Sequence, residues 1–186
     1  MTRIVAGIVG GRRIEVPRSG TRPTSERVRE ALFARLEHYG VLDGARVLDL
    51  CAGSGALGLE AASRGAGDVT LVDSSRAASE ICRRNIRALG LRGLRVVTAK
   101  AAAFLTGAAG APVDLVLIDP PYELAEEELT AILSPLTRSE DPWLAPRAVV
   151  AVERSTRSPE PAWPQGLGRF ADKRYGETTL WFAEPL

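Results

Sequence analysis

The chain has 186 residues, and its 24 lysines and arginines nearly balance its 23 aspartates and glutamates, for a formal net charge of +1. Hydrophobic residues make up 45% of the chain and charged residues 25%, which is typical of a globular domain and argues against a disordered chain. No apolar run approaches the roughly 20 residues needed to span a bilayer, and the N-terminus lacks an apolar signal-peptide core. Two cysteines and one histidine are too few for a zinc site or a disulfide framework, so we expect a cytoplasmic protein with no metal and no membrane contact.

The charge is unevenly distributed along the chain. Residues 1–30 hold seven arginines and three acidic residues, a local charge of +4, which leaves 17 basic and 20 acidic residues, a charge of −3, for the rest. A basic segment on a mildly acidic body indicates a polyanionic partner, although a solvated surface that happens to use arginine would give the same count. The arginines are Arg3, Arg12, Arg13, Arg18, Arg22, Arg27 and Arg29.

The N-terminal segment shows a hairpin pattern. Two β-rich runs, 3–9 and 12–16, flank Gly10 and Gly11, and this arrangement predicts two strands joined by a two-residue turn. The prolines and the glycine within 17–23 then predict a loop.

A helix is expected next. Thr24 is in position to cap it, and Val28, Leu32 and Leu36 lie four residues apart on one face. Gly40 is expected to end it.

From residue 46 onward, strand and helix patterns alternate. Strands are predicted over 46–51, 69–73, 94–98, 113–118 and 148–153, and helices over 56–64, 75–89, 102–105 and 123–136. Such alternation predicts an α/β fold with a mostly parallel, doubly wound sheet. Runs 169–175 and 178–182 around Gly176 predict a terminal hairpin.

A glycine-rich loop follows the first strand of this sheet. Gly53, Gly55 and Gly58 satisfy a G-x-G-x-x-G pattern, and Asp73 ends the next strand. By spacing alone this is a dinucleotide fingerprint with the acid on the adenosine ribose. An NAD-dependent oxidoreductase is therefore one hypothesis.

Two further features favour a different cofactor. Asp49 stands just before the glycine loop, where its carboxylate would suit the cationic amine of S-adenosylmethionine and has no partner on an NAD pyrophosphate. Asp119-Pro120-Pro121-Tyr122 directly follows the apolar run 113–118, which places it at the carboxyl edge of the sheet, where open α/β folds bind ligands. The alternative is that the two prolines merely end a strand.

This acidic tetrapeptide suits methylation of an exocyclic amine. The lone pair of a nucleobase amino group is delocalised into the ring, and accepting both N–H bonds on the Asp119 carboxylate and the Pro120 carbonyl would localise it for in-line attack on the sulfonium methyl. Pro120 and Pro121 fix φ and so preorganise these acceptors. Tyr122 could stack on an unpaired or flipped base.

Together these motifs resemble one family, the bacterial 16S rRNA guanine-N2 methyltransferases of the RsmD type. The resemblance extends over nearly the whole chain in the order of the family's motifs. The motifs on which the resemblance rests are Arg22-Pro23-Thr24 with Arg27-Val28-Arg29-Glu30 and Leu32-Phe33, 47–60 with Ser63-Arg64-Gly65-Ala66, Asp119-Pro120-Pro121-Tyr122, and Tyr175-Gly176 with Thr178.

The resemblance implies methyl transfer from S-adenosylmethionine to N2 of one guanine (guanine 966 in standard rRNA numbering), in 16S rRNA or a small-subunit assembly intermediate. It also implies a seven-stranded class I methyltransferase sheet, and we expect a monomer. The residues implied to bind the cofactor are Asp49, Ala52, Gly53, Ser54, Gly55, Asp73, Ser74, Lys100 and Ala101; those implied to hold the guanine are Asp119, Pro120, Pro121 and Tyr122. Those implied to contact RNA are Arg3, Arg12, Arg13, Arg18, Arg22, Thr24, Arg27 and Arg29.

One residue departs from the family pattern. Relatives usually place Asp or Asn where this chain has Lys100, and an ammonium cannot accept a hydrogen bond from the adenine amine. Either the backbone around Ala101 recognises adenine or cofactor affinity is modest. We expect a basic RNA-binding arm with its helix over 1–40 and a catalytic domain over 41–186.

Two other functions stay open besides the oxidoreductase. Asp-Pro-Pro-Tyr does not distinguish bases, so an amino methyltransferase acting on DNA adenine or cytosine is possible, although no segment for reading duplex sequence is evident. The other is a non-catalytic RNA-binding assembly factor with a degenerate pocket, which Lys100 would support.

Overall fold

A computed structural model describes residues 1–18 and 24–186. Over these residues the helices are α1 Glu26–Tyr39, α2 Ala56–Ser63, α3 Arg76–Leu89, α4 Ala101–Leu105 and α5 Glu126–Leu133, which a 3₁₀ turn, Ser134–Thr137, extends. The strands are β1 Thr2–Arg3, β2 Arg13–Ile14, β3 Arg46–Leu50, β4 Asp68–Asp73, β5 Leu94–Thr98, β6 Val113–Ile118, β7 Leu144–Ser155, β8 Leu167–Tyr175 and β9 Thr178–Pro185.

The main sheet has seven strands in the order β5-β4-β3-β6-β7-β9-β8. The pairings from β5 to β7 are parallel, and β9 runs antiparallel to both β7 and β8. The predicted α/β doubly wound fold is therefore confirmed, including the antiparallel strand in the terminal hairpin. A separate two-stranded sheet is formed by β1 and β2.

Side-chain alternation along the central strands builds a core on each face of the sheet. On β6, Leu115 and Leu117 pack into a cluster with α1, α2 and α3, whereas Val116 and Ile118 pack into a second cluster with α4 and α5. Both sets are buried. This is the reason the predicted strand 113–118 is apolar without interruption, since a strand covered by helices on both faces has no solvent side.

The N-terminal hairpin differs from its prediction. Its strands are Thr2–Arg3 and Arg13–Ile14, Ile4 continues the pairing through backbone hydrogen bonds with Gly11 and Arg12, and the connection is longer than two residues. Backbone N–H groups that a tight hairpin would pair across its strands instead bind α2: Val5 and Ala6 donate to the Glu60 carboxylate, at 2.8 and 3.0 Å. The connection is thus folded against helix α2.

The start of α1 also differs from its prediction. Ser25, not Thr24, is the N-cap, and its hydroxyl accepts from the Val28 amide at 3.2 Å. The Thr24 hydroxyl is used elsewhere, as described below. Gly40 ends the helix in the left-handed conformation, as predicted.

Helix α1 packs with the sheet. Its apolar face belongs to the same cluster as β6 and β9. For this reason the name "arm" below means residues 1–18 only. Within the described ranges no helix is long and apolar enough to cross a bilayer.

Candidate active site

A cavity of about 1050 Å³ opens at the carboxyl ends of β3, β4, β6 and β7. The strand order reverses between β3 and β6, and this switch point is where open α/β sheets bind ligands. The wall combines the glycine loop after β3, the tetrapeptide after β6 and the end of the arm, Val16 to Arg18. The structure therefore brings the sequence-predicted cofactor and base residues into one cavity.

The glycine loop makes a tight turn between β3 and α2. Gly55 has φ +86°, and a Cβ there would lie 3.0 Å from Leu71, so only glycine suits both the conformation and the space. The Gly53 amide donates to Asp73 Oδ2 at 2.8 Å, and the Ser75 amide donates to Asp73 Oδ1 at 2.8 Å. Asp73 thereby ties the loop to the start of α3 at the end of β4.

Asp49 is a buried acid, and only one of its two carboxylate oxygens has a hydrogen-bond partner in the described chain. Its Oδ2 accepts from the Gly58 amide at 2.9 Å, while its Oδ1 is buried without a hydrogen-bond partner in the described chain. Burial raises the pKa of Asp49 to about 8, against the lowering effect of the Gly58 hydrogen bond. An unpaired buried acceptor is costly, and a cationic amine in the cavity would relieve that cost.

Asp119 forms a three-residue cluster with Thr24 and Glu153. Thr24 Oγ1 lies 2.5 Å from Asp119 Oδ2 and 3.0 Å from Glu153 Oε2. Burial raises the pKa of Asp119 to about 6 and that of Glu153 to about 8, against the lowering effect of the Thr24 hydrogen bond in both cases. Sequence reasoning missed Glu153, although it stands near the carboxyl end of an apolar strand, as Asp119 does.

The rest of the tetrapeptide is split between the core and the surface. Pro120 is buried and Pro121 exposed, and Tyr122 is 45% exposed on the cavity wall. Behind them, buried Arg154 donates to the Leu124 carbonyl at 2.9 Å and to Glu126 at 2.6 Å. Arg154 thus fixes the loop after β6 by hydrogen bonds, while Tyr122 on that loop stays accessible from the cavity.

Lys100 and Ala101 lie on the cavity wall as predicted from the sequence, with different exposure. Lys100 is exposed and precedes α4 without a side-chain cap, whereas Ala101 is buried. Nearby, the Ala99 amide donates to the Asp73 carbonyl at 3.0 Å. Ala52, Ser54 and Ser74 also line the cavity.

The arginines expected to contact RNA fall into different environments. Arg13, Arg18 and Arg27 are exposed, and Arg18 lines the cavity mouth. Arg3 pairs with Glu26 at 2.9 Å on the surface. Arg22 lies outside the described residues.

Two of these arginines have structural contacts. Arg12 donates to the Ala88 and Leu89 carbonyls at 2.5 and 3.3 Å, so it caps the end of α3. Arg29 is fully buried, pairs with Glu60 and donates to the Arg3 carbonyl. A guanidinium without solvent access cannot reach a phosphate, which corrects the expectation for Arg29.

Comparisons with known proteins agree on one family. A family model described as "Conserved hypothetical protein 95" matches residues 2–184. The ribosomal RNA small subunit methyltransferase D of Escherichia coli K12 is 38% identical over 178 residues, which cover 94% of this chain and 85% of that protein. The Haemophilus influenzae protein of the same name is 34% identical over 163 residues, 84% of this chain and 80% of that one.

Solved structures give the same result. The Escherichia coli methyltransferase yhhF superposes with a TM-score of 0.82 at 36% identity, covering 99% of this chain and 97% of that one. A protein of Thermus thermophilus superposes with a TM-score of 0.81 at 30% identity, covering 99% of each chain.

Proposed function

Because this chain belongs to the Conserved hypothetical protein 95 family, with small-subunit rRNA methyltransferases as relatives, we propose that it methylates the exocyclic N2 of a guanine in 16S rRNA. It is an rRNA methyltransferase with a class I fold, and the methyl donor of that class is S-adenosylmethionine. One observation supports methyl transfer to an exocyclic amine most directly. The cavity holds both an unpaired acceptor for a cationic amine, Asp49, and an acid for a base amine, Asp119.

The residues around the glycine loop fit S-adenosylmethionine. When bound, this cofactor supplies an electrophilic methyl group on a sulfonium centre. Asp49 Oδ1 would accept from its ammonium and so gain the partner that it lacks among the described residues. Asp73, fixed by the Gly53 and Ser75 amides, would orient the ribose, and the backbone near Ala101 would meet the adenine because the Lys100 ammonium cannot accept a hydrogen bond.

Asp119 and Pro120 would hold the guanine. With Oδ2 bound to Thr24, Asp119 keeps Oδ1 for one N2–H bond, and the Pro120 carbonyl would accept the other. Half-exposed Tyr122 provides a stacking surface, and a flipped base stacked on an aromatic ring is a recurring way to present a nucleobase. These groups position the amine and localise its lone pair.

The arm would guide the RNA to this pocket. Its later part runs beside α3, where the Glu15 amide donates to Asn85 at 2.9 Å, and reaches the cavity at Val16, Pro17 and Arg18. The exposed Arg13, Arg18 and Arg27 would contact phosphates, as a salt-dependent interaction. Because the substrate is 16S rRNA, we place the enzyme in the cytoplasm. A monomer stays a prediction.

Asp119→Ala tests the assignment. Methyl transfer to 16S rRNA should fall by at least about a hundredfold, as for lost transition-state hydrogen bonds elsewhere, while calorimetric affinity for S-adenosylmethionine should stay near that of the wild type. Glu123→Ala, an exposed wall residue four positions further on, is the control. Retained activity in Asp119→Ala would remove this residue from the mechanism.

Nucleoside mass spectrometry tests the base. Small-subunit rRNA from a deletion strain should lack N2-methylguanosine at one site, and the purified enzyme should restore it. Methylation of DNA adenine or cytosine instead, or binding of NAD in place of S-adenosylmethionine, would contradict the proposal.

A further inference from the structure

We propose that Glu153 is a positioning residue that acts through the Thr24 hydroxyl to fix the charge and the orientation of Asp119. The proposal starts from the geometry of the cluster, in which one hydroxyl oxygen lies within hydrogen-bond distance of two carboxylates, at 2.5 Å from Asp119 and 3.0 Å from Glu153. The three residues come from the start of α1, the end of β6 and β7, so only the folded chain assembles them.

A proton count constrains this cluster. A threonine hydroxyl has one proton and can donate to one carboxylate only. If both acids were ionised, one oxygen would face the hydroxyl lone pairs across a buried contact, and two negative charges would share one site, which raises the pKa of one member. One of the two carboxyls must therefore donate to Thr24.

Burial identifies Glu153 as the protonated acid. All three residues border the cavity, but Glu153 is only 5% exposed and Thr24 only 9%, whereas Asp119 is only partly buried. The pKa values agree: burial raises that of Glu153 to about 8 and that of Asp119 to about 6. The chain of donors then runs from Glu153 Oε2 to Thr24 Oγ1 and from Thr24 Oγ1 to Asp119 Oδ2.

The charges around the cavity favour a protonated Glu153 beside an ionised Asp119. Among the described residues, the acids Asp49, Asp73, Glu123 and Glu128 share the wall with the cluster, and the cations there are Arg18 and Lys100. Cys51 and Tyr122 are the other titratable groups that the described part of the wall contains. On the other side of Glu153, β9 presents Leu180 in register and adds no charge at that position. With a mostly acidic wall, a second ionised carboxylate in the cluster is disfavoured.

The consequence concerns the substrate amine and rests on the proposed function. A neutral Glu153 leaves the Thr24 proton wholly to Asp119. Asp119 then stays ionised near neutral pH, with Oδ2 fixed and Oδ1 presented to the guanine amine. When Glu153 ionises, it competes for the same proton, and Asp119 loses both its fixed orientation and its donor.

The pH profile of kcat, measured with S-adenosylmethionine and rRNA both saturating, tests the proposal. In the wild type, kcat should fall as pH rises through about 8. In Glu153→Gln this decline should be absent, because the amide donates to Thr24 at every pH. Glu153→Ala and Thr24→Val should each lower kcat at pH 7 roughly three- to tenfold, as expected for one missing hydrogen bond, and Thr24→Ser should restore it.

An infrared titration of the protein without RNA gives an independent readout. With ¹³C-labelled glutamate, which separates Glu153 from Asp49, a carboxylic-acid band should disappear with a midpoint near pH 8 and should be missing in Glu153→Gln. Glu127→Gln, the same change on an exposed site of α5, should behave as the wild type in both assays.

The outcomes separate the two proposals. An alkaline decline that persists in Glu153→Gln, or the lack of a protonated glutamate at pH 7, would overturn the role of Glu153 even if the enzyme methylates guanine. Failure to methylate any 16S rRNA guanine would contradict the proposed function, whereas the infrared result would still report the state of Glu153.

Discussion

The Glu60 carboxylate attaches the arm to helix α2, and its removal should strongly destabilise the fold. Glu60 is fully buried on α2. Its oxygens accept from the Val5 and Ala6 amides, at 2.8 and 3.0 Å, and from Arg64 at 2.9 Å, and they lie 3.4 Å from Arg29. In Glu60→Ala all four groups lose this carboxylate at once, although Arg64 keeps Glu37 and Arg29 keeps the Arg3 carbonyl.

The magnitude follows from what is left behind. The side chain of Arg29 is fully buried, and breaking a buried pair by removing one partner costs about 3–5 kcal/mol. Each amide left unsatisfied costs roughly 1–3 kcal/mol, but such terms overlap and water can enter the vacated space. We therefore expect Glu60→Ala to lower the free energy of unfolding by about 4 kcal/mol, a large share of the roughly 5–15 kcal/mol typical of a domain.

Urea unfolding followed by circular dichroism measures this loss. Glu37→Ala is the matched control, because Glu37 contacts the same Arg64 at 3.1 Å but is 53% exposed, and exposed pairs contribute about 1 kcal/mol or less. If Glu60→Ala does not fold, Glu60→Gln keeps the shape and one acceptor and should show a smaller loss. A loss in Glu60→Ala no larger than that in Glu37→Ala would refute the reasoning.

The remaining predictions concern Asp49 and the arm. Because the pKa of Asp49 is raised to about 8 from 3.8, the native state holds more protons than the unfolded state between these pH values. The free energy of unfolding should therefore fall as pH rises from about 4 to about 8, by up to about 1.4 kcal/mol per pH unit. This fall should be less steep in Asp49→Asn. Binding the ammonium of S-adenosylmethionine should ionise Asp49. Calorimetry at pH 7 in buffers of different ionisation enthalpy should therefore detect proton release on cofactor binding in the wild type and none in Asp49→Asn. Equal proton release in both proteins would contradict the role of Asp49 as the acceptor for the ammonium. Charge reversal at Arg13 and Arg18 of the arm and at Arg27 of α1 should lower the salt-dependence slope of RNA binding by roughly 0.7 for each phosphate that they no longer neutralise, whereas an unchanged slope would show that these arginines do not bind phosphates.

Local sequence patterns were sufficient to predict most of the helices and strands. The strands 94–98 and 113–118 have their predicted bounds, and the apolar run 113–118 is buried as a strand covered on both faces must be. The ends of α1 and α3 at Gly40 and Gly90 follow from the left-handed conformation that glycine adopts readily. Strand β7 is longer than predicted, Leu144–Ser155 against 148–153, and the arm and α5 differ where side chains from distant segments bind backbone groups.

The arm shows why those places could not be predicted. Its glycine pair favours a two-residue turn, yet Glu60, more than fifty residues away, accepts the amides that a tight hairpin would have paired. Helix α5 likewise begins three residues later than predicted, where buried Arg154 binds the Leu124 carbonyl and the Glu126 side chain. Both departures depend on contacts between residues far apart in the chain.

The sequence by itself determined the fold class, the order of the strands along the chain and the positions of the glycine loop and the Asp-Pro-Pro-Tyr segment, because these depend on local periodicity and turn chemistry. Only the tertiary structure decided which polar groups are buried together. It buried Arg29 against Glu60 and placed Thr24 between Asp119 and Glu153. The physical reason is that burial and proton sharing are properties of the space between elements, and that space exists only once the sheet is assembled.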